Sequence, residues 1–217
     1  ILTTDKSEDG TIHITMEVAE QCIQKRAIRY DKSGDNHYDT VSAFIKSMRG
    51  SDPDAALYYL AKMLYAGESI EFIARRIMIS AAEDVGMADP NALTVAVSAA
   101  NAVHQIGMPE AKIILAEAVV YMATAPKSNA SYMGLEKAMS AVQNTKISGI
   151  PVHLMDAHYK GAAKLGHGDG YKYAHDYENH YVNQQYLPDE LVNEVFYNPG
   201  DLGYEVKVKE HFKKIKG

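Results

Sequence analysis

The segment YDKSGDNHYDTVSAFIKSMRGSDPDAALYY at residues 30–59 carries the signals for two antiparallel helices. Its first apolar residues recur at the spacing of one helix face: Val41, Phe44, Ile45 and Met48. This pattern predicts a helix over 37–49, and Gly50 is expected to take the left-handed conformation that ends many helices. Asp52 can then cap a second helix, with Pro53 in the first turn, where a missing N–H has no partner to lose. The short connection favours antiparallel packing.

Cap and stop signals of the same kind continue along the chain. Helix starts fall near 53, 70, 90, 109 and 129, and stops fall at Gly67, Gly86, Gly107 and Pro126. The helix from Pro109 is strongly apolar and is expected to be buried on most sides by its isoleucines and valines: Ile113, Ile114, Val119 and Val120. The last helix, capped by Ser128, has one apolar stripe: Tyr132, Leu135, Met139 and Val142. The region is therefore predicted to be a helical bundle.

Two arrangements of these helices are compatible with the pattern. The starts imply hairpins that repeat every ~37–39 residues, and SDPDAAL at 51–57 is echoed by ADPNAL at 88–93, as in a helical solenoid. Helix-cap chemistry alone explains Asp-Pro before good helix formers, however. We therefore favour a mainly α, antiparallel bundle over the solenoid.

The final third, residues 151–217, has a different character. It holds eight of the 15 tyrosines and six of the nine histidines, with Gly-rich sequence and a charged end. Such a stretch is too aromatic for disorder. We expect an irregular Tyr-rich extension that wraps over the bundle or a neighbouring subunit, followed by a terminal helix.

Composition excludes several classes of protein. Apolar residues make up 47% and charged residues 23% of the 217 residues, as in a globular protein, and no apolar run approaches the roughly 20 residues that span a bilayer. Cys22 is the single cysteine, which excludes an internal disulfide and suggests a reducing compartment. The start ILTTDKSEDG lacks the features of a secretory signal and has no Met, which suits a fragment of a longer chain. We expect a cytoplasmic protein.

Signatures of nucleotide hydrolysis are missing from the sequence. It has no GxxxxGK[ST] phosphate loop and no apolar run that ends in paired acids. The nearest approach is GAAKLGHG at 161–168, where His167 stands at the lysine position and cannot supply the charge partner of the phosphates. Five scattered histidines between 153 and 180 repeat no metal-ligand spacing. We therefore predict no catalytic, cofactor-binding or metal-binding residue in this chain.

Several long strings occur in the order found in one known family. They are QKRAIRYDK (24–32), the opening segment, IARRIMISAAEDVGMADPNAL (73–93), GMPEAKIILAEAVVYMATAPKSNASY (107–132), GYKYAHDY (170–177) and QQYLP (184–188). As a set they resemble the C-terminal region of the MgsA/RarA family of replication-associated AAA+ ATPases, from about residue 16 to the end.

This resemblance implies that three segments of the chain have different roles. Residues 1–30 would be a remnant of the preceding lid region and a first helix, 31–150 a helical oligomerisation bundle like the clamp-loader collar, and 151–217 the wrap and terminal helix. The parent protein would be a DNA-stimulated ATPase that uses ATP and Mg²⁺, forms a tetramer, associates with single-stranded DNA-binding protein and DNA, and works at stalled forks in the nucleoid. This chain would be its scaffold, without hydrolytic activity and without membrane contact.

Three groups of residues are candidates for an interface or a nucleic-acid contact. Arg75 and Arg76 lie within a helix and are expected either to pair with Glu71, Glu83 and Asp84 or to pair across subunits.

The other two candidate groups lie in the final third. Tyr171, Lys172 and Tyr173 could stack on unpaired bases, although packing is the simpler role. Lys213 and Lys214 belong to EVKVKEHFKKIKG (205–217), which carries five lysines against two glutamates in a chain of net charge −6. A monomeric module that binds DNA or a partner protein through these residues is the alternative to the scaffold.

One loop is a weaker candidate. Lys127, Ser128 and Asn129 precede a helix and could hold an anion at its N-terminus. A helix cap explains Ser128 without a ligand.

Overall fold

Seven α-helices form the architecture of the computed structural model, which describes residues 35–158 and 165–216. They are α1 (Asp35–Arg49), α2 (Pro53–Tyr65), α3 (Ile70–Ser80), α4 (Asn91–Ile106), α5 (Ala111–Thr124), α6 (Ala130–Asn144) and α7 (Tyr204–Lys216). No strand occurs within the described ranges. The predicted mainly α fold is confirmed.

Local capping chemistry sets most helix ends. The Asp52 carboxylate accepts the Ala55 N–H at 2.9 Å, and the Ser69 hydroxyl accepts the Phe72 N–H at 3.2 Å, which confirms both predicted caps. The prediction for Gly50 is wrong, because the positive φ of 61° falls on Ser51. The α1–α2 turn is closed by backbone bonds from residues 50–52 to the last carbonyls of α1.

Two helix boundaries differ from the prediction. The helix expected to run to Gly86 leaves the α conformation after Ser80 and continues as a π-helical turn, Ala81–Val85, and a 3-10 turn, Gly86–Ala88. The helix expected from Pro109 begins at Ala111. The turn at 81–88 supports the elements that follow the bundle, since α6 and α7 both pack on it.

Helix α5 is the centre of the core. It packs against each of α1, α2, α3 and α4, whereas a repeat in a solenoid touches only its neighbours in sequence. The antiparallel bundle is therefore confirmed over the solenoid. The core has Phe44 and Met48 from α1, Met63 from α2 and Ile73 and Ile77 from α3, all fully buried.

The prediction for which side chains of α5 are buried is partly wrong. Val119 is buried as expected, but Ile113 is 65% exposed and the other large core residues of this helix are Leu115 and Met122. The facing helix α4 buries mostly alanine at Ala92, Ala96 and Ala99. Small side chains let the two helix axes approach closely, so the contact needs few large residues.

Between α6 and the terminal helix, the residues that the structure describes are irregular, as predicted. This segment contains short 3-10 turns at Val152–Leu154, Ala174–Asp176, Glu178–His180 and Asp189–Leu191. It returns to the bundle at Gly203, whose φ is +57° and which lies directly against the backbone carbonyl of Ala88. No side chain fits there.

Predictions that fall on residues 1–34, including the first helix and Cys22, lie outside the described residues. In the described part, no helix is both long and apolar enough to cross a membrane.

Candidate assembly surface

Helix α6 is positioned by the loop that precedes it. The Ser128 N–H donates to the Asp84 carbonyl at 2.8 Å, which joins this loop to the π-helical turn. The Ser128 hydroxyl accepts the Ala130 N–H at 3.2 Å, but the N-cap position is taken by Asn129, whose side chain makes no capping bond, so Ser128 lies one residue before the predicted cap. Lys127 donates from Nζ to the carbonyls of Ala123 at 3.2 Å and Ala125 at 2.6 Å, and burial lowers its pKa. Lys127 therefore caps the end of α5.

One face of α6 is docked and the opposite face is open. Gly134 is the sole buried residue of this helix, and a Cβ there would lie 2.9 Å from the Phe196 carbonyl oxygen. The predicted apolar residues lie on the open face, with exposed fractions of 44% for Tyr132, 61% for Leu135, 49% for Met139 and 69% for Val142. We call these four side chains the α6 stripe. A row of large apolar side chains left in water is the pattern of a contact surface.

The base of α6 is braced by a polar cluster. Arg49 donates from Nε to Asp84 Oδ1 at 2.5 Å and from Nη2 to Glu83 Oε1 at 2.9 Å, and the hydrogen bond with Asp84 raises the pKa of Arg49. The Ser80 hydroxyl donates to Asp84 Oδ2 at 2.9 Å. Both oxygens of the buried Asp84 carboxylate are thus satisfied, and α1 is tied to the turn that carries α6.

The predicted ion pairs of Arg75 and Arg76 within the chain are wrong. Their expected partners Glu83 and Asp84 are bound by Arg49 instead, and neither arginine forms an ion pair within the described ranges. Both guanidinium groups lie near the ring of Phe72, with Cζ 5.9 Å from the ring centroid for Arg75 and 5.5 Å for Arg76. The ring therefore holds both guanidinium groups, which make no direct ion pair in the described residues.

Glu71, the third expected partner, is also engaged elsewhere. Its carboxylate accepts the Ser69 hydroxyl at 2.5 Å, and this hydrogen bond is the main cause of its lowered pKa. Arg75 acts on Glu71 only at longer range.

The aromatic-basic segment is exposed and braced by one amide. The Gln184 side chain accepts the Lys172 N–H at 3.2 Å and donates to the Lys172 carbonyl at 2.9 Å. Tyr171 and Tyr173 are about half exposed. The ring of His175 lies 5.1 Å from that of Tyr173, so this side chain packs with its aromatic neighbours.

The two candidate lysines lie on α7 and are exposed. Among the described residues, Lys213 and Lys214 make no hydrogen bond and no ion pair, although Lys213 contributes to the lowered pKa of Asp201. The principal partner of Asp201 is Lys209, at 2.6 Å. In the part of the chain that the structure describes, these lysines make no contact with Tyr171–Tyr173, so the two groups do not form one site.

Sequence analysis missed two residues that hold these elements. Arg49 stands at the end of a predicted helix and shows no sequence signal for a contact with Glu83 and Asp84, which lie 34 and 35 residues away. Glu205 is, by sequence alone, one acid in a lysine-rich segment. It is fully buried and accepts the Gly200 N–H at 2.6 Å and the Tyr197 O–H at 3.0 Å. The turn cluster NPGDLG before α7 was the available signal.

Comparison with known proteins agrees with the resemblance seen in the sequence. The family model described as "AAA C-terminal domain" matches residues 1–49, and that described as "MgsA AAA+ ATPase C terminal" matches residues 50–216.

Curated relatives match nearly the whole chain. Replication-associated recombination protein A of Bacillus subtilis is 47% identical over 216 residues, which is 99% of this chain and 51% of that protein. An uncharacterized AAA domain-containing protein of Mycobacterium tuberculosis is 53% identical over 203 residues, 94% of this chain and 45% of that protein. Replication-associated recombination protein A of Escherichia coli K12 is 40% identical over 204 residues, 94% of this chain and 46% of that protein. The chain spans about half the length of these relatives, and it belongs to the MgsA/RarA family of AAA+ ATPases, corresponding to the C-terminal region of that family.

Proposed function

We propose that this chain is the oligomerisation and scaffold module of an AAA+ ATPase that acts in DNA replication, recombination and repair at stalled forks. The observation that carries the proposal is the α6 stripe, which is fixed in place at its base and exposed along its length. The proposal assigns binding of ATP and Mg²⁺ and hydrolysis to the rest of the parent protein. It also assigns a tetramer, contact with DNA and single-stranded DNA-binding protein, and a place in the cytoplasmic nucleoid, to that full-length protein.

The size of the α6 stripe indicates how much it can contribute. With 44–69% of each side chain exposed, and roughly 150–200 Å² per side chain, it offers roughly 400 Å² of apolar surface. At about 25 cal/mol per Å², its burial would contribute about 10 kcal/mol. Association costs about 4–15 kcal/mol. The free energy gained by burying the stripe is therefore close to the cost of association, and stable assembly requires further contacts beside it.

The test is the mass of the protein in solution. Light scattering coupled to size exclusion at micromolar concentration is expected to give about four times the chain mass of 23.9 kDa. Leu135→Arg is expected to lower that mass, because a charge would replace a buried apolar contact. Ile113→Arg is the matched control, since Ile113 is equally exposed but lies on α5. A monomeric wild-type protein would refute the proposal.

The alternative is a monomeric module that binds DNA or a partner protein. Two features support it. The rings of Tyr171 and Tyr173 are about half exposed, and Lys213 and Lys214 are exposed and make no ion pair among the residues that the structure describes. Fluorescence anisotropy with single-stranded oligonucleotides at several salt concentrations tests it. Salt-sensitive binding that is lost in the Lys213→Glu/Lys214→Glu variant, by a protein of monomeric mass, would favour this function over the scaffold.

A further inference from the structure

Two arginines that make no ion pair within the described residues lie on the outer side of α3. Arg75 is exposed and Arg76 is partly buried, and the Phe72 ring lies within 6 Å of both guanidinium groups. The Nε of Arg76 is buried and has no hydrogen-bond acceptor. Contact with an aromatic ring restricts the guanidinium planes, so less side-chain entropy is lost when an anion binds. The site is prepared for a carboxylate that the described part of the chain does not provide.

A carboxylate in the complementary position is found on α6. Glu136 is the sole acidic residue of that helix, and it is exposed, with no hydrogen bond or ion pair. It follows Leu135 directly and lies four residues after Tyr132 and three before Met139. Residues three and four apart share a helix face, so the carboxylate lies along the edge of the α6 stripe.

The outer side of α3 also offers apolar surface beside its charges. Ile79 lies one turn after Arg75 on the same helix face and is 43% exposed. Phe72 contributes part of its ring on the arginine side. The α6 surface is thus an apolar row with one carboxylate at its edge, and the α3 surface has apolar residues with two arginines at their edge. The two surfaces are both apolar and carry opposite charges, so they are complementary.

We propose that α6 of one copy packs on the outer side of α3 of a second copy, with Glu136 bound by Arg75 and the charge of Arg76 reinforcing the pair. This inference rests on the proposed scaffold function and identifies its partner as a second copy of this chain. The planar guanidinium can bind both oxygens of a carboxylate, which fixes the register of the two helices as well as their attraction.

Charge reversal tests the pairing. Arg75→Glu and Glu136→Arg are each expected to raise the protein concentration needed for assembly at least tenfold, because like charges would then face each other. At a fixed micromolar concentration, each variant should therefore have a lower mass than the wild type. An equimolar mixture of the two variants restores opposite charges at the contact and is expected to regain the wild-type mass. The Arg75→Glu/Glu136→Arg double variant is expected to do the same. Circular dichroism verifies that each variant is folded.

Matched controls separate this contact from a general effect of charge. Lys46→Glu makes the same change of sign on an exposed residue of α1, and Glu117→Arg does so on α5. Both are expected to retain the wild-type mass. The inference is overturned if the reversed variants assemble like the controls, or if the mixture and the double variant stay dissociated. A monomeric wild type would instead refute the scaffold function itself, so the two failures are distinguishable.

Discussion

The anchor of α7 gives a quantitative prediction through Glu205→Ala. The wild-type carboxylate is fully buried and binds the Tyr197 O–H at 3.0 Å and the Gly200 N–H at 2.6 Å. In the variant both donors lose their acceptor and the side chain leaves a cavity. About 1–2 kcal/mol for each abandoned donor, plus the cavity, gives a loss of about 3–5 kcal/mol.

The loss is expected to be local. The terminal helix packs on the 3-10 turn Gly86–Ala88, outside the five-helix core, so it can open while the core stays folded. Since 1.4 kcal/mol corresponds to a factor of ten, amide hydrogen exchange in α7 is expected to accelerate roughly 100- to 4000-fold. Exchange in α5 is expected to stay unchanged.

The control for this prediction is Glu210→Ala. Glu210 lies on the same helix but is exposed and makes no hydrogen bond. If Glu205→Ala and Glu210→Ala exchanged their α7 amides at the same rate, the buried carboxylate would not hold the helix, and the reasoning would be refuted.

Three further predictions concern the same supporting elements. Burial and the hydrogen bond to a carboxylate raise the pKa of Tyr197 to about 12. The neutral phenol therefore contributes stability that is fully present below about pH 10 and is lost as the pH rises to about 12. Denaturant titrations should show this loss in the wild type but not in Tyr197→Phe. Gly86→Ala places a Cβ 2.6 Å from a loop carbonyl at φ +50°, whereas Gly107→Ala at φ +72° meets nothing within 4 Å. Thermal unfolding should show a cost of about 1–3 kcal/mol for Gly107→Ala from its backbone conformation alone, and a cost larger by at least ~1 kcal/mol for Gly86→Ala. Arg49→Ala leaves the Asp84 side chain, 5% exposed, without its cation, and chemical denaturation should show a loss of about 2–3 kcal/mol, moderated because the arginine is 47% exposed.

Each of these has an outcome that contradicts it. Parallel pH profiles for wild type and Tyr197→Phe would show that the phenol is not the titrating group. Equal costs at Gly86 and Gly107 would mean that the loop before α6 moves away freely. Arg49→Ala has Lys46→Ala as its control, since Lys46 lies on the same helix, is exposed and makes no ion pair. Equal free energies of unfolding for these two variants would show that the polar cluster does not stabilise the protein.

Helix positions could be predicted because their signals are local. Asp52 and Ser69 bind backbone N–H groups three residues away, so the sequence within one turn contains the whole interaction. The π-helical turn at 81–85 could not be predicted in this way. It depends on Arg49 and on the loop at Ser128, which are distant in sequence.

Burial and pairing were harder to predict for the same reason. Ile113 is exposed and Ala111 is buried because the neighbouring helices decide which side of α5 they cover, and apolar periodicity does not report on neighbours. The acids expected to pair with Arg75 are four and more residues away along one helix, but Arg49 reaches Asp84 from another element. The tyrosine-rich segment was predicted to be irregular from composition alone, whereas its bracing by Gln184 depends on a fold-back of 12 residues.

The location of α1 has a consequence for how this region can be divided. One family model ends at residue 49 and the next begins at residue 50, yet Val41, Phe44 and Met48 are buried against the helices beyond that boundary. A truncated protein that started at residue 50 would lose the helix that packs on α2, α3 and α5, and would expose part of its hydrophobic core to water. The boundary between the two family models is therefore not a boundary of the folded unit. A chimaera made from two relatives should have its junction upstream of α1.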